Sequence, residues 1–393
     1  MKRIITLVLL FVLTFNIVGI GVFAEDTQKN EAEIYNISPM EIEVDCNSAL
    51  LMDAGSGRIL YSKNENESAS PASVTKIMTL LLVMEAIDSG AVSLVEKVTV
   101  SANAAGMGGS QVFLEEGEQM TVEELIKCAV IASGNDAAVA LAEHIAGGEE
   151  AFVKKMNGRA VELGLKNTNF ENATGLDDTT VNHISSALDI AIMSRELIKY
   201  PIITEYSSIW QDTIRNGEFT LTNTNRLVRY YEGCNGLKTG STDKAGYCVS
   251  ATAKRGDMQL IAVVMGAPTR DVRNEIARKM LDFGFAGYGV YVKEECELEK
   301  IPIFGGVSSD VICYSTAFCA LVNKADAKRV ELRYEIPESI TAPIMKDDIV
   351  GKVKYMIDGK LLGESEIRVK ESVDKISFLD VLKSIILSHV GCR

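Results

Sequence analysis

The chain has 393 residues, of which 47% are hydrophobic and 24% charged, and its formal net charge is −14. This composition is that of a globular protein, so extensive disorder and fibrous repeats are excluded. Acidic chains are poor binders of nucleic acid, whose affinity comes mainly from lysine and arginine on phosphates, so no nucleic-acid partner is expected. The three histidines have no metal-ligand spacing, and neither a metal site nor a cofactor is expected.

The N-terminus has the pattern of a secretory signal. Two basic residues precede an apolar run that extends to Phe23, and acidic residues follow Ala24. We predict a cleaved signal peptide over residues 1–24 and therefore export from the cell. The run approaches the length that spans a bilayer, so an uncleaved anchor is the alternative. Residues 25–40 are polar and are predicted to form a linker.

Export makes disulfides chemically possible, and the chain contains eight scattered cysteines without a CxxC pair. Cys128, Cys248 and Cys319 lie in apolar runs, where we expect them to act as small core residues. A pairing of Cys313 with Cys319 stays open at this stage.

Strand and helix patterns alternate over the next 250 residues. A strand at 49–53 is followed by a returning strand at 58–61, and a helix is predicted from Pro71 to about Ser89, with Ser70 as its N-cap. This order suggests an α/β (α+β) domain over residues 41–286, whose antiparallel sheet is covered by helices. The other predicted elements are helices at 122–132, 136–145, 150–163, 186–199 and 273–283, and a hairpin of strands at 246–254 and 258–266.

The residue pattern changes near Gly287, where short strand-like runs begin to alternate with turns. We predict a separate small all-β domain over residues 287–371. The last segment, 372–393, has apolar residues such as Phe378 and Leu382 on one helical stripe and is predicted to be an amphipathic helix. This helix is too short to span a bilayer, and it either lies on a membrane surface or packs on the β domain.

Ser73 and Lys76 form the first motif that can carry chemistry. Residues i and i+3 share a helix face, so the Ser73 hydroxyl and the Lys76 amine are expected to meet. A serine hydroxyl becomes a good nucleophile when a nearby base takes its proton, and a desolvated lysine can be that base.

Two further motifs follow at separations of 60 and 105 residues. Ser133 and Asn135 lie between helical stretches, where the hydroxyl can relay a proton and the amide can orient Lys76 and a substrate carbonyl. In the run 238–241, Lys238 and Thr239 can bind a carboxylate, while Gly240 keeps the strand edge clear for an extended peptide. The backbone N–H groups of Ser73 and Ser241 are expected to form an oxyanion hole.

The three motifs in this order are the signature of penicillin-binding proteins and class A β-lactamases. Over nearly the whole mature chain, the sequence resembles the low-molecular-weight penicillin-binding proteins that are serine D-alanyl-D-alanine carboxypeptidases of the S11 peptidase family. Supporting stretches surround Ser73, and others lie at 170–177, 183–189 and 238–247. The resemblance implies a β-lactamase/transpeptidase-like domain, with the small β domain and amphipathic tail of that family.

The resemblance also implies roles for the residues of the motifs. Ser73 would be the acylated nucleophile and Lys76 its base, with Ser133 and Asn135 as proton relay and substrate holder. The substrate would be a peptidoglycan stem peptide ending in D-Ala-D-Ala, β-lactams would mimic it, and the protein would act at the extracytoplasmic face of the membrane or in the cell wall of a bacterium. Lys238, Thr239 and Arg273 would grip the terminal carboxylate of that peptide, with Gly240 and Ser241 beside it.

Three alternatives remain open from the sequence. A β-lactamase would need a glutamate for deacylation, for which the nearest candidates are Glu162 and Glu171. A transpeptidase side activity would use the same acyl-enzyme with an amine acceptor. A catalytically inactive penicillin sensor would have the same fold without turnover.

Overall fold

Residues 33–37 and 41–390 are described by a computed structural model. The predicted signal peptide and most of the predicted linker lie outside these ranges. Within the two ranges, no helix has both the length and the apolar character that a membrane span requires.

The centre of the larger part of the molecule is an antiparallel sheet. The strands of this part are β1 (Ser48–Asp53), β2 (Ile59–Lys63), β3 (Lys97–Thr99), β4 (Gln119–Thr121), β5 (Gln211–Ile214), β6 (Phe219–Thr222), β7 (Cys234–Thr242), β8 (Gly246–Arg255) and β9 (Met258–Ala267). Five of them form the sheet in the order β2-β1-β9-β8-β7, which leaves β7 at an edge. Leu50 and Met52 face one hydrophobic core, while Ala49 and Leu51 face another, because successive side chains of a strand alternate between its faces. The sheet is therefore covered on both sides, as predicted.

Helices pack on both faces of this sheet. They are α1 (Lys76–Asp88), α2 (Ala102–Ala105), α3 (Val122–Val130), α4 (Asn135–Ala146), α5 (Glu149–Glu162), α6 (Ala187–Leu197), α7 (Pro201–Ser207), α8 (Leu227–Tyr230) and α9 (Arg270–Gly287). α6 packs on β1 and β9 on one face, and α9 packs on β8 and β9 on the other. α9 begins three residues earlier than predicted because the Thr269 hydroxyl caps it, accepting from the backbone N–H of Val272 at 3.2 Å.

The start of the helix after Ser70 differs from the prediction. Ser70 does not cap it, because its hydroxyl donates instead to Asp177 Oδ2 at 3.0 Å. Pro71 is not its first residue either, since Ala72–Thr75 form a 3-10 turn before α1. Ala72 has φ of +48°, a left-handed conformation that a continuous α-helix cannot contain.

A separate all-β part follows α9. The strands of this part are β10 (Tyr288–Lys293), β11 (Cys296–Glu297), β12 (Ile301–Phe304), β13 (Asp310–Val311), β14 (Cys313–Ser315), β15 (Phe318–Asn323), β16 (Glu331–Glu335), β17 (Ile340–Thr341), β18 (Ile349–Ile357) and β19 (Lys360–Val369). Its largest sheet has the strand order β11-β14-β19-β18-β16. It has its own core around Tyr355 and Ile367. The small β domain is thus confirmed, although the strand-like runs of the sequence did not include β11, β12 or β17.

Two details correct the sequence interpretation. Tyr35 lies within the predicted linker, yet it is buried against the β domain and its hydroxyl donates to Asp326 Oδ2 at 2.8 Å. Cys319 is exposed instead of forming part of a core, whereas Cys128 and Cys248 are buried. The seven cysteines that the structure describes are free thiols, so Cys313 and Cys319 are not paired.

The last described element is α10 (Phe378–Val390). The apolar side chains described over residues 378–386 are exposed, with Phe378 at 80% and Leu379 at 65%. This exposure contradicts the alternative in which the stripe packs on the β domain.

Candidate active site

The three predicted motifs meet beside β7. A cavity of about 680 Å³ lies there, and Ser73, Ser133, Arg273 and residues 239–241 line it. Lys76, Asn135 and Lys238 lie just behind its walls, each hydrogen-bonded to a neighbouring motif. The fold therefore brings every predicted site residue to one place.

Ser73 lies on the 3-10 turn, where the backbone is packed tightly from two sides. A β-carbon on Gly175 would lie 1.8 Å from the carbonyl oxygen of Ala72. A β-carbon on Gly240, in the edge strand β7, would lie 2.8 Å from the backbone nitrogen of Ser73. Since only glycine fits at either position, the close packing fixes the main chain around the hydroxyl.

Lys76 is fully buried directly below Ser73. Burial lowers the pKa of its amine from 10.5 to about 7, although the nearby Asp136 carboxylate opposes this shift. A neutral amine has two N–H donors and one lone pair. Asn135 Oδ1 at 2.5 Å and the Thr174 carbonyl at 3.1 Å accept the two hydrogens. The lone pair then faces Ser73 Oγ at 3.1 Å, which is the arrangement for accepting a serine proton.

Ser133 and Asn135 hold the other side of this amine. Ser133 has φ of +66°, a costly conformation for a non-glycine residue and one that collects at functional sites. Its hydroxyl accepts from Lys238 Nζ at 2.8 Å. Asn135 opens α4, and its Nδ2 donates to the Gly108 carbonyl at 2.7 Å, which directs Oδ1 toward Lys76.

Sequence reasoning missed Asp136, although it directly follows Asn135. This buried carboxylate accepts from the backbone N–H groups of Val112 and Leu114 at 2.9 and 3.1 Å, and from its neighbour in α4. These bonds fix the loop that carries Ser110, which forms one wall of the cavity. Asp136 therefore both supports that wall and places negative charge near Lys76.

Basic side chains are concentrated behind the cavity. Lys238 is 1% exposed and donates to Ser133 Oγ and to the Thr239 carbonyl, at 2.8 and 2.9 Å. Burial, followed by repulsion from Lys76 and Arg273, holds the pKa of Lys238 well below 10.5. A carboxylate that enters the cavity would relieve this repulsion and strengthen its bonds to the cationic groups.

Arg273 projects from α9 into the same cavity. Its guanidinium donates to the Cys248 carbonyl at 3.3 Å and to Asn274 Oδ1 at 3.1 and 2.9 Å. Burial is the main cause that lowers the pKa of Arg273 to about 10, so the group is charged at neutral pH.

The sequence of the chain matches two family profiles. The D-alanyl-D-alanine carboxypeptidase profile matches residues 35–269, and that of the C-terminal domain of penicillin-binding protein 5 matches residues 290–375. The chain belongs to the D-alanyl-D-alanine carboxypeptidase family. D-alanyl-D-alanine carboxypeptidase DacF of Bacillus subtilis (strain 168) is 42% identical over 390 residues, which cover 98% of this chain and 97% of the relative. The activity of the chain is accordingly that of a D-alanyl-D-alanine carboxypeptidase.

Solved structures of this family have the same fold. Penicillin-binding protein 5 from Haemophilus influenzae aligns with a TM-score of 0.72 at 33% identity, over 86% of this chain and all of that one. The ampicillin-bound form of penicillin-binding protein D2 from Listeria monocytogenes aligns with a TM-score of 0.58 at 32% identity, over 63% of this chain and 99% of that one. The predicted transpeptidase-like fold is thereby confirmed.

Neither glutamate considered for a β-lactamase lines the cavity. Glu162 pairs with Arg159 at 2.9 Å. Glu171 accepts from the backbone N–H groups of Val181 and Asn182 at 2.8 and 2.9 Å. Both carboxylates have structural partners, so neither is available to activate a deacylating water as in a class A enzyme.

His183 supports the site from outside. Its Nδ1 accepts from the backbone N–H of Glu171 at 3.0 Å, which assigns the ring proton to Nε2. Nε2 then donates to Thr75 Oγ1 at 2.8 Å, on the turn that carries Ser73. Burial lowers the pKa of His183 to about 4, so the ring stays neutral in its structural role.

Proposed function

We propose that the protein removes the terminal D-alanine from peptidoglycan stem peptides through an acyl-enzyme on Ser73. The observation that carries this proposal is the buried Lys76 amine, whose nitrogen lies 3.1 Å from Ser73 Oγ while Asn135 Oδ1 and the Thr174 carbonyl accept hydrogen bonds from it. Lys76 takes the hydroxyl proton as Ser73 attacks the carbonyl carbon of the penultimate D-alanine.

The second half of the reaction uses the groups around the amine. The carbonyl oxygen gains negative charge, which the backbone N–H groups of Ser73 and Ser241 stabilise. Ser133, bonded to Lys238, relays the proton that Lys76 has taken to the nitrogen of the departing D-alanine, the C–N bond breaks, and Asn135 holds the peptide carbonyl. Water then attacks the ester and gives a proton to Lys76, the ester C–O bond breaks, and Lys76 returns that proton to the Ser73 oxygen.

The carboxylate of the terminal D-alanine is proposed to bind at Thr239 and Arg273, with Lys238 behind them. The peptide lies along the free edge of β7, where Gly240 leaves its path clear. A β-lactam has a carboxylate and a strained amide in a similar arrangement, so we propose that it acylates Ser73. The ampicillin-bound relative supports this part of the proposal.

Release of D-alanine from diacetyl-L-Lys-D-Ala-D-Ala tests this function directly. We expect residues 25–393 to release D-alanine and to lose this activity after pre-treatment with penicillin. Rapid hydrolysis of the penicillin without D-alanine release would instead support a β-lactamase. Stable penicillin labelling with no release of D-alanine would support an inactive sensor.

We further propose that the enzyme is exported, with residues 1–24 as signal peptide, 41–286 as catalytic domain and 287–371 as β domain. The similarity to D-alanyl-D-alanine carboxypeptidases supports an extracytoplasmic location, because the proposed peptidoglycan substrate lies outside the cytoplasmic membrane. We propose that α10 touches the membrane surface, since its side chains Phe378 and Leu379 are exposed. Co-sedimentation with anionic lipid vesicles should then decrease when the chain ends at residue 376, and equal binding of both forms would contradict the contact.

A further inference from the structure

Part of the cavity lining has no role in the proposed mechanism. Three arginines line the cavity, namely Arg226, Arg270 and Arg273, of which only Arg273 has been given a role, and the neighbouring rings of Trp210 and Tyr230 line it as well. The terminal carboxylate of D-alanine has two oxygens and is proposed to bind Arg273 and Thr239. Arg226 and Arg270 are therefore left for another partner.

The positive charge of these arginines is poorly neutralised within the protein. Arg226 approaches the carboxylate of Asp271 only to 3.9 Å, and that carboxylate is 89% exposed. Arg270 forms no ion pair with the residues that the structure describes. Arg273 bonds only to neutral oxygens, of an amide and a carbonyl. Three guanidinium groups thus share one exposed and distant carboxylate.

The three groups also lie close enough to act on one another. After burial, repulsion by Arg270 and by Arg226 contributes to lowering the pKa of Arg273. Arg270 is the first residue of α9, whose N-terminus adds positive potential at the same place. A second anion bound here would relieve repulsion that the D-alanine carboxylate alone cannot fully offset.

We propose that Arg226 and Arg270 form a second anion-binding position, which takes the second carboxylate of a leaving group that carries two. This inference rests on the proposed function and leaves its chemistry unchanged. The amide C–N bond breaks, the Ser73 ester forms, the leaving amine takes a proton, and water cleaves the ester. The leaving group is then a D-amino acid, or a peptide beginning with one, that has an acidic side chain. Guanidinium suits this task because its paired N–H groups match the two oxygens of a carboxylate.

Two substrates distinguish the effect of the leaving group's charge from the effect of its size. Diacetyl-L-Lys-D-Ala-D-Glu and diacetyl-L-Lys-D-Ala-D-Gln have leaving groups of nearly equal shape, and only the first has a second carboxylate. We expect the native protein to have a kcat/KM about tenfold higher for the glutamate peptide, because one charge-assisted hydrogen bond contributes a factor of about this size. Arg226→Gln and Arg270→Gln should each bring this ratio close to one.

The matched control is Arg278→Gln, which removes the same charge from an exposed position on α9. It should leave both the ratio and the release of D-alanine unchanged. Fluorescent penicillin labelling of each variant verifies that its site is folded. If the native protein releases D-alanine but the ratio is the same in all four proteins, the inference is overturned and the proposed function stands. If the native protein releases no D-alanine, both are overturned.

Discussion

Replacing Ser73 by alanine is expected to abolish covalent labelling by fluorescent penicillin while the protein stays folded. The Ser73 hydroxyl lies 3.1 Å from Lys76 Nζ, and no other described side chain bonds to that amine through a hydroxyl. Removing one oxygen from the 3-10 turn leaves its backbone packing unchanged. Gel fluorescence after incubation with the penicillin measures the labelling, and circular dichroism measures the fold.

Ser110→Ala is the control for this experiment. Ser110 also lines the cavity, but its contribution to the site is made through its backbone carbonyl, which accepts from the N–H of Asn135 at 2.7 Å. This variant should label as the native protein does. Labelling of Ser73→Ala at the native level would remove Ser73 from the role of nucleophile.

Replacing Lys76 by methionine should slow acylation by penicillin about 10²- to 10⁴-fold, because it removes the general base but keeps a side chain of similar length. The pH dependence should change with it. Since burial lowers the pKa of Lys76 to about 7, the native acylation rate should rise with pH below 7, as the amine loses its proton, and level off above. The variant should lose this rise. Stopped-flow acylation kinetics from pH 5 to 9 measure both effects.

Burial sets the position of that inflection by lowering the pKa of Lys76, and the Asp136 carboxylate opposes this shift. Lys244→Met is the matched control, because Lys244 is an exposed lysine in the turn that follows β7. A native rate and pH profile in Lys76→Met would exclude Lys76 as the base.

The pairing of Ser73 with Lys76 was predictable from spacing alone, even though the local helix type was not. A 3-10 turn has three residues per turn, so residues i and i+3 still share a side. The left-handed Ala72 could not be predicted, because its conformation is tied to the close packing of Gly175, about 100 residues away.

The contributions of Thr174 and Asp136 to the site could not be predicted from sequence patterns either. Thr174 acts through its backbone carbonyl, which any residue could supply, and only the fold brings it to Lys76. Asp136 resembles an ordinary acidic residue in the first turn of a helix, where carboxylates are common. Its burial and its bonds to the loop of Val112 appear only when distant segments are packed together.

Burial of Lys76 and Lys238 has a consequence for the stability of the whole protein. Each lysine binds a proton more weakly in the folded chain than in the unfolded one. For Lys76, the unfolded chain binds more protons between about pH 7 and 10.5, so this group makes the free energy of unfolding rise with pH across that interval. Below about pH 7 its full destabilising effect is present. Substitutions that neutralise either lysine should therefore raise the melting temperature as they remove activity, so selection for thermal resistance alone would tend to erase the catalytic apparatus.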